Sequence, residues 1–76
     1  MVIKVYSTTI CPWCVKAKDY LKSKNVTFED INVTDNMDAR EEMLLKSKQM
    51  GVPVLDINGT IIIGFNIPAI NSALNK

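Results

Sequence analysis

The stretch TICPWC (residues 9–14) contains both cysteines of this chain, with two residues between them. Ahead of it, the segment from Val2 to Tyr6 is rich in β-branched and aromatic side chains, which predicts a buried strand. Pro12 suits the first position of a helix, because a helix start leaves its first N–H groups unpaired and proline has none. The sequence therefore predicts a strand, a short loop and a helix that carries both thiols at its start.

The predicted first helix runs from Pro12 to about Lys24 and is closed by Asn25. Helical spacing predicts a buried face made of Cys14, Ala17 and Leu21. The helix also has lysines outside this stripe, namely Lys16, Lys18, Lys22 and Lys24. Such a run can dock an acidic partner or support a thiolate, but a solvated face is the favoured interpretation.

The middle of the chain predicts a second strand, from Val26 to Val33, and a second helix. Asp35 predicts the N-cap of this helix, which extends to about Met50 and ends at Gly51. The side chains expected to face the core are Ala39 and Met43, with Leu44 at the margin.

The last third predicts a hairpin followed by a short helix. Val54–Ile57 and Thr60–Ile63 flank Asn58-Gly59, which is a strong signal for a two-residue hairpin turn. Gly64-Phe65 then turns the chain, and Asn66 can cap a third helix. The apolar residues of that helix are Ile70, Ala73 and Leu74.

The element order β-α-β-α-β-β-α predicts an α/β fold, with a four-stranded mixed sheet flanked by three helices. A chain of 76 residues is expected to form a single domain, residues 1–76. Nothing in the sequence demands a dimer, so a monomer is expected.

Composition excludes several classes of function. The charges of nine basic and eight acidic side chains nearly cancel, so the chain lacks the strong excess of positive charge that is typical of a nucleic-acid-binding protein. No apolar run approaches the roughly 18 residues of a membrane-spanning helix, and the N-terminus does not resemble a signal peptide. We therefore expect a cytoplasmic protein without a membrane partner. Because the chain has no histidine, Cys–His catalysis and imidazole metal ligands are excluded.

The cysteine spacing favours redox chemistry. With Cys11 at the N-cap, its sulfur faces unpaired N–H groups of the first turn, where the helix dipole favours a thiolate. Thiol pKa values at such sites fall from about 8.5 to roughly 3.5–7.5. Cys14 lies one turn later, so it can form a disulfide with Cys11, and Trp13 can offer an exposed ring beside the attacked sulfur. A structural disulfide would close too small a loop to stabilise much, and a zinc site would need further ligands.

Gly51-Val52-Pro53 is the second informative segment. Pro53 falls at the start of a predicted strand, where proline is tolerated. A cis bond there could bring the backbone of Val52 beside the cysteines, offering N–H and C=O to an extended substrate. A plain helix-to-strand turn explains the segment equally well.

Together these motifs resemble a small bacterial glutaredoxin over essentially the whole chain. The resemblance rests on Cys11-Pro12-Trp13-Cys14 after a first strand, Val52-Pro53 before a third, and a glycine turn after a fourth. It implies a thioredoxin-like fold with sheet order 4-3-1-2 and a cis bond at Val52-Pro53. It also implies a dithiol–disulfide oxidoreductase that reduces protein disulfides or glutathione mixed disulfides, with glutathione as co-substrate and no tightly bound cofactor or metal.

The resemblance also assigns roles to residues. Cys11 matches the nucleophile and Cys14 the resolving thiol, while Trp13 stands where glutaredoxins usually have Tyr or Phe. Val52 matches the residue whose backbone pairs with the glutathione cysteine, and Gly64 matches the first glycine of a Gly-Gly turn. The predicted substrate-binding residues are Pro12, Trp13, Val52, Pro53, Gly64, Phe65 and Asn66.

The sequence departs from the glutaredoxin pattern where charged residues often hold glutathione. Thr8 replaces a lysine or arginine, Ile67 replaces an acidic residue, and Phe65 replaces the second glycine. The segment from Gly64 to Pro68 instead resembles the turn of redoxins that serve ribonucleotide reductase and draw electrons from thioredoxin reductase. A glutathione-assisted iron–sulfur or zinc module is a further alternative, which Pro12 disfavours.

Overall fold

The computed structural model describes residues 2–75 and contains four strands and three helices. In chain order they are β1 (Ile3–Ser7), α1 (Pro12–Ser23), β2 (Glu29–Asn32), α2 (Met37–Ser47), β3 (Val54–Ile57), β4 (Thr60–Ile63) and α3 (Ile67–Leu74). The strands lie in the order β2-β1-β3-β4; β1 and β2 are parallel, and the other neighbours are antiparallel. The predicted α/β fold and the sheet order are confirmed.

The sheet separates two apolar clusters, because successive side chains of a strand point to opposite faces. Val5 packs in a cluster that includes Leu21 of α1 and Ile70 of α3. Its neighbour Tyr6 packs in the other cluster, which includes Met43 of α2. Helices α1 and α3 therefore cover one face, and α2 covers the other.

The first helix and the hairpin form where the sequence predicts them. Cys14, Ala17 and Leu21 are all buried, and Asn25 follows the helix in a left-handed conformation with φ 60°. The hairpin turns through Asn58 and Gly59, whose φ values are 51° and 96°, as a turn with two left-handed residues requires.

The predicted boundaries of the second helix are wrong at both ends. The N-cap is Asn36, not Asp35, because the Asn36 side chain accepts a hydrogen bond from the Ala39 N–H at 3.0 Å. The helix ends at Ser47 rather than near Met50, since Lys48 takes a left-handed conformation with φ 62°. Leu44 is 40% exposed and lies outside the core.

The predicted first and second strands also need correction. β1 is shifted by one residue and includes Ser7, and β2 covers only Glu29–Asn32 of the predicted 26–33. The ladder with β1 begins at Lys4 and Glu29, so residues 26–28 lie outside the strand pairing. Val26 and Phe28 still pack against the core from the loop. Within residues 2–75, no helix has the length and apolar character needed to span a membrane.

Candidate active site

Cys11 is the N-cap of α1, as the sequence predicts. Its backbone is extended, with φ −155° and ψ 95°, and its Sγ accepts a hydrogen bond from the Cys14 N–H at 3.1 Å. Its carbonyl accepts the first helical bond, from the Val15 N–H, at 3.2 Å. The sulfur therefore occupies the position in which a serine or aspartate oxygen usually caps a helix.

The two cysteines form a disulfide, and their Cα atoms are 5.2 Å apart. Their surroundings differ, because Cys11 is half-buried whereas Cys14 is 1% exposed. A reagent or a substrate can therefore reach the sulfur of Cys11 far more easily than that of Cys14. This asymmetry suits a pair in which one thiol attacks and the other resolves.

The loop before β3 and the turn after β4 meet beside α1. The Val52-Pro53 bond is cis, which confirms the conformation that the glutaredoxin resemblance implies. The Gly64 N–H donates to the Pro53 carbonyl at 2.8 Å, and Gly64 has a φ of 82° that favours glycine. This bond continues the β3–β4 pairing past the ends of the strands.

A cleft of about 320 Å³ is lined by Trp13, Val52, Pro53, Gly64 and Phe65. The Trp13 and Phe65 rings form one wall, with their centroids 6.3 Å apart, and Trp13 is 57% exposed. No charged side chain of the described residues lines this cleft. Five of the predicted substrate-binding residues are therefore brought together, although they come from three separate segments of the chain.

The other two predicted binding residues lie outside the cleft lining. Pro12 is exposed in the first turn of α1. The side chain of Asn66 caps α3 by accepting from the Ala69 N–H at 3.2 Å. A larger depression of about 420 Å³ lies near the C-terminal ends of α1 and α3, at the end of α1 away from the cysteines, whereas the smaller cleft includes Trp13, which lies between Cys11 and Cys14 in the chain. We therefore place the chemistry at the smaller cleft.

Sequence reasoning missed two neighbours of the aromatic wall. The ring of Tyr20 meets Phe65 edge-on with centroids 6.1 Å apart, and its hydroxyl donates to Asn71 of α3 at 2.6 Å. The Lys16 ammonium lies 4.4 Å from the centre of the Trp13 ring. The spacing of Trp13 and Lys16 on one helix face could have indicated the second contact. The contact of Tyr20 with Phe65 depends on how α3 packs against α1.

Charged groups gather on the opposite face of the sheet, under α2. Lys46 donates to Asp56 at 2.7 Å and to the Tyr6 hydroxyl at 3.0 Å, and its Nζ lies 3.2 Å from Glu42. Burial raises the pKa of Asp56, but the hydrogen bonds from Lys46 and from the Gly59 N–H outweigh it, so this pKa lies below its ordinary value. Burial lowers the pKa of Lys46, yet its three partners hold that pKa above the usual range for lysine. The network ties α2 to the sheet.

Comparison with known proteins agrees with this geometry. The glutaredoxin family model matches residues 3–62, which run from the first residue of β1 into β4. The chain belongs to the glutaredoxin family. It is thus a thiol–disulfide oxidoreductase with a redox-active pair in a Cys-x-x-Cys motif.

Two relatives of this glutaredoxin illustrate the similarity. An uncharacterized glutaredoxin-like 8.6 kDa protein in the rubredoxin operon of Clostridium pasteurianum is 57% identical over 75 residues, covering 99% of this chain and 100% of the relative. Glutaredoxin 3 of Escherichia coli K12 is 36% identical over 62 residues, covering 82% of this chain and 75% of its own length.

Two solved structures share the fold. A mutant of the thioredoxin-like protein BC3987 superposes with a TM-score of 0.90 at 34% identity, covering 96% of this chain and 94% of the other. NrdH-redoxin from Escherichia coli, a glutaredoxin-like protein with a thioredoxin-like activity profile, superposes with a TM-score of 0.83 at 28% identity; the coverage is 95% and 93%.

Proposed function

We propose that this glutaredoxin reduces protein disulfides, with Cys11 as the nucleophile and Cys14 as the resolving thiol. The observation that carries the proposal is the difference between the two sulfurs. Cys11 is half-buried and accepts a hydrogen bond from the Cys14 N–H, whereas Cys14 is almost fully buried. The donor and the positive end of the α1 dipole both favour a thiolate at Cys11.

The proposed cycle moves two electrons by thiol–disulfide exchange. The Cys11 thiolate attacks one sulfur of the substrate disulfide, and the other substrate sulfur leaves as a thiolate that takes up a proton. Cys14 then loses its proton and attacks the Cys11 sulfur of the mixed disulfide, which releases the second substrate thiol. The protein ends with the Cys11–Cys14 disulfide, and the substrate ends with two thiols.

The cleft supplies the binding part of this cycle. Val52 offers its backbone N–H and C=O to an extended substrate segment, in the manner of an added strand. Trp13 and Phe65 form an apolar wall, and Pro53 and Gly64 complete the lining. Pro12 and Asn66 remain predicted substrate contacts at the rim of this site.

The absence of charge among the described lining residues favours protein substrates over glutathione mixed disulfides. Glutathione carries two carboxylates and one ammonium group, and none of the described lining residues has a side chain of opposite charge to pair with them. We nevertheless propose glutathione as the electron source on the strength of family membership and of the Val52 backbone.

Thioredoxin reductase is a second candidate for the electron source. Two observations favour it: Thr8 and Ile67 carry no charge, and Phe65 forms a wall of the cleft where the family has a second glycine. The likeness to NrdH-redoxin, with its thioredoxin-like activity profile, supports the same candidate. A dedicated donor to one enzyme, such as a ribonucleotide reductase, would use this source.

NADPH consumption separates the two electron sources. The oxidised protein and insulin, as a protein disulfide, are supplied either with glutathione and glutathione reductase or with thioredoxin reductase. Turnover only with glutathione would support the first candidate, and turnover only with thioredoxin reductase would support the second. No turnover of insulin with either source, or after chemical pre-reduction, would contradict the proposed function.

We also propose that the protein acts as a monomer in the cytoplasm, where thiols are kept reduced. A metal-binding module with iron–sulfur or zinc is the less favoured alternative. Protein purified without oxygen that is colourless and metal-free would contradict it.

A further inference from the structure

The loop between α2 and Val52 contains an unusual side-chain contact. The Gln49 side chain folds back onto Gly51: its Nε2 donates to the Gly51 carbonyl at 2.9 Å, and its Oε1 accepts from the Gly51 N–H at 2.6 Å. One side-chain amide thus satisfies both backbone groups of a single residue. We call this pair of hydrogen bonds the Gln49–Gly51 brace.

The brace is anchored on the buried end of α2. Ser47 is 7% exposed, and its hydroxyl lies 2.7 Å from the Met43 carbonyl and 3.0 Å from the Gln49 carbonyl. Polar contacts therefore connect the last turn of α2, through Gln49, to the residue directly before Val52. At the α2 end of these contacts, Met43 is itself fixed in the apolar cluster between α2 and the sheet.

The contact with Gln49, and not the backbone conformation of residue 51, explains why a glycine is needed at this position. Gly51 is not among the glycines with positive φ, so its conformation suits other residues. A Cβ atom at this position, however, would lie 2.7 Å from the Gln49 Oε1. Any larger residue would displace the amide that forms the brace.

We propose that Gln49 is a positioning residue that orients the backbone of Val52 for the main chain of a peptide substrate. Without the brace, the N–H and C=O of Gly51 would turn to water, and glycine has more backbone freedom than any other residue. Val52 would then present its hydrogen-bonding groups in many orientations, and a substrate would have to order the loop on binding. This inference rests on the proposed function of the cleft.

The test is a single-turnover reaction of the pre-reduced protein, which needs no assumption about the electron source. Fluorescence of Trp13, the only tryptophan, reports formation of the Cys11–Cys14 disulfide. Two probes are compared: insulin, which has a peptide backbone, and hydroxyethyl disulfide, which has none. Both supply a disulfide that is reduced to two thiols as the protein dithiol is oxidised.

Gln49→Ala is expected to raise the half-saturating concentration of insulin by about threefold to tenfold, because the substrate must then order the loop before Pro53 as it binds. The limiting rate with insulin and the rate with hydroxyethyl disulfide should stay at the wild-type values. A loss with both probes would mean general damage to the fold and would overturn the proposal. An unchanged half-saturating concentration would overturn it as well.

Met50→Ala is the matched control, since Met50 is a 53% exposed neighbour in the same loop and takes no part in the brace. It should leave the insulin half-saturating concentration near the wild-type value. If Met50→Ala raised that concentration as much as Gln49→Ala, the effect would come from lost surface contact, and the positioning role would be wrong.

A double-mutant cycle tests whether Gln49 and Gly51 act together. Gly51→Ala alone should raise the insulin half-saturating concentration about as much as Gln49→Ala, because its Cβ displaces the amide. The same change in the Gln49→Ala background should add little, since the amide is already gone. Additive effects would contradict the brace.

The same experiment tests the proposed function and the role of Gln49 separately. A wild-type protein that did not reduce insulin would contradict the proposed function, whether or not it reduced hydroxyethyl disulfide. A wild-type protein that reduced both, with Gln49→Ala indistinguishable from it, would contradict only the role of Gln49.

Discussion

The N-termini of α1 and α2 have nearly the same geometry but different chemistry. Cys11 and Asn36 are both extended N-caps, with ψ values of 95° and 96°. In each case a side-chain atom accepts a hydrogen bond from the N–H of the third following residue, at 3.1 Å for the sulfur and 3.0 Å for the amide oxygen. A redox centre and a structural cap therefore use the same local arrangement.

Their surroundings explain why only one of them forms a site. At α2, the Arg40 guanidinium donates to the Val33 and Thr34 carbonyls. These hydrogen bonds join the helix to the loop before it. At α1, the cis Val52-Pro53 segment and the Phe65 turn leave an open cleft next to Trp13. A redox site at a helix start therefore needs both a reactive cap atom and an open cleft beside it, because an N-cap by itself is a common feature of helices.

The largest effect is expected from Cys11→Ser. Serine keeps an oxygen that can cap α1, so the free energy of unfolding of the reduced protein should change little, whereas reduction of every disulfide should fall to the rate without protein. Insulin turnover and urea unfolding measure the two quantities. Asn36→Ser is the matched change at α2, and it should keep full activity. Disulfide reduction by Cys11→Ser would refute the nucleophile assignment.

Cys14→Ser separates the two steps of the cycle. The first attack by Cys11 remains, so a mixed disulfide with insulin should accumulate and be visible on a non-reducing gel, while net reduction collapses. Turnover of glutathione mixed disulfides should survive if free glutathione can resolve the intermediate. Full insulin turnover by this variant would show that Cys14 is not the resolving thiol.

The charge network under α2 contrasts with the uncharged cleft and predicts a pH-dependent stability. The pKa of Asp56 is lower in the folded protein than in the unfolded chain, so its contribution is complete above about pH 4 and is lost as the pH falls through the folded value. Asp56→Asn should cost about 1–2 kcal/mol at neutral pH. Urea unfolding at a series of pH values should show the difference from wild type shrinking in acid; a constant difference would contradict the ion pair.

The smallest effect is expected from Asn36→Ala. Loss of a side-chain cap typically costs about 1 kcal/mol, because the Ala39 N–H then depends on water. Insulin turnover should not change, since this cap lies outside the cleft. A comparable loss of activity would mean that the two helix starts are coupled, contrary to the comparison.

The sequence-based prediction is wrong at the boundaries of α2, where nearby residues carry equally good capping or terminating signals. Asp35 and Asn36 are both good caps, and the difference depends on which side chain reaches the Ala39 N–H. At the other end of α2, Gly51 looks like a helix terminator, but the chain already turns at Lys48 and Gly51 instead takes part in the brace. Local rules identify the type of residue, whereas the exact position depends on packing.

The sequence by itself determined the features that depend on a few adjacent residues: the Cys11 cap with its Pro12 start, and the Asn58-Gly59 hairpin. These follow from backbone preferences and hydrogen bonds within one turn, so no distant contact is needed. Only the tertiary structure decided that Phe65 and Val52 stand beside Trp13, and that Lys46 ties α2 to Asp56. Such contacts join residues far apart in the chain, and they depend on how the helices pack against the sheet rather than on any local pattern.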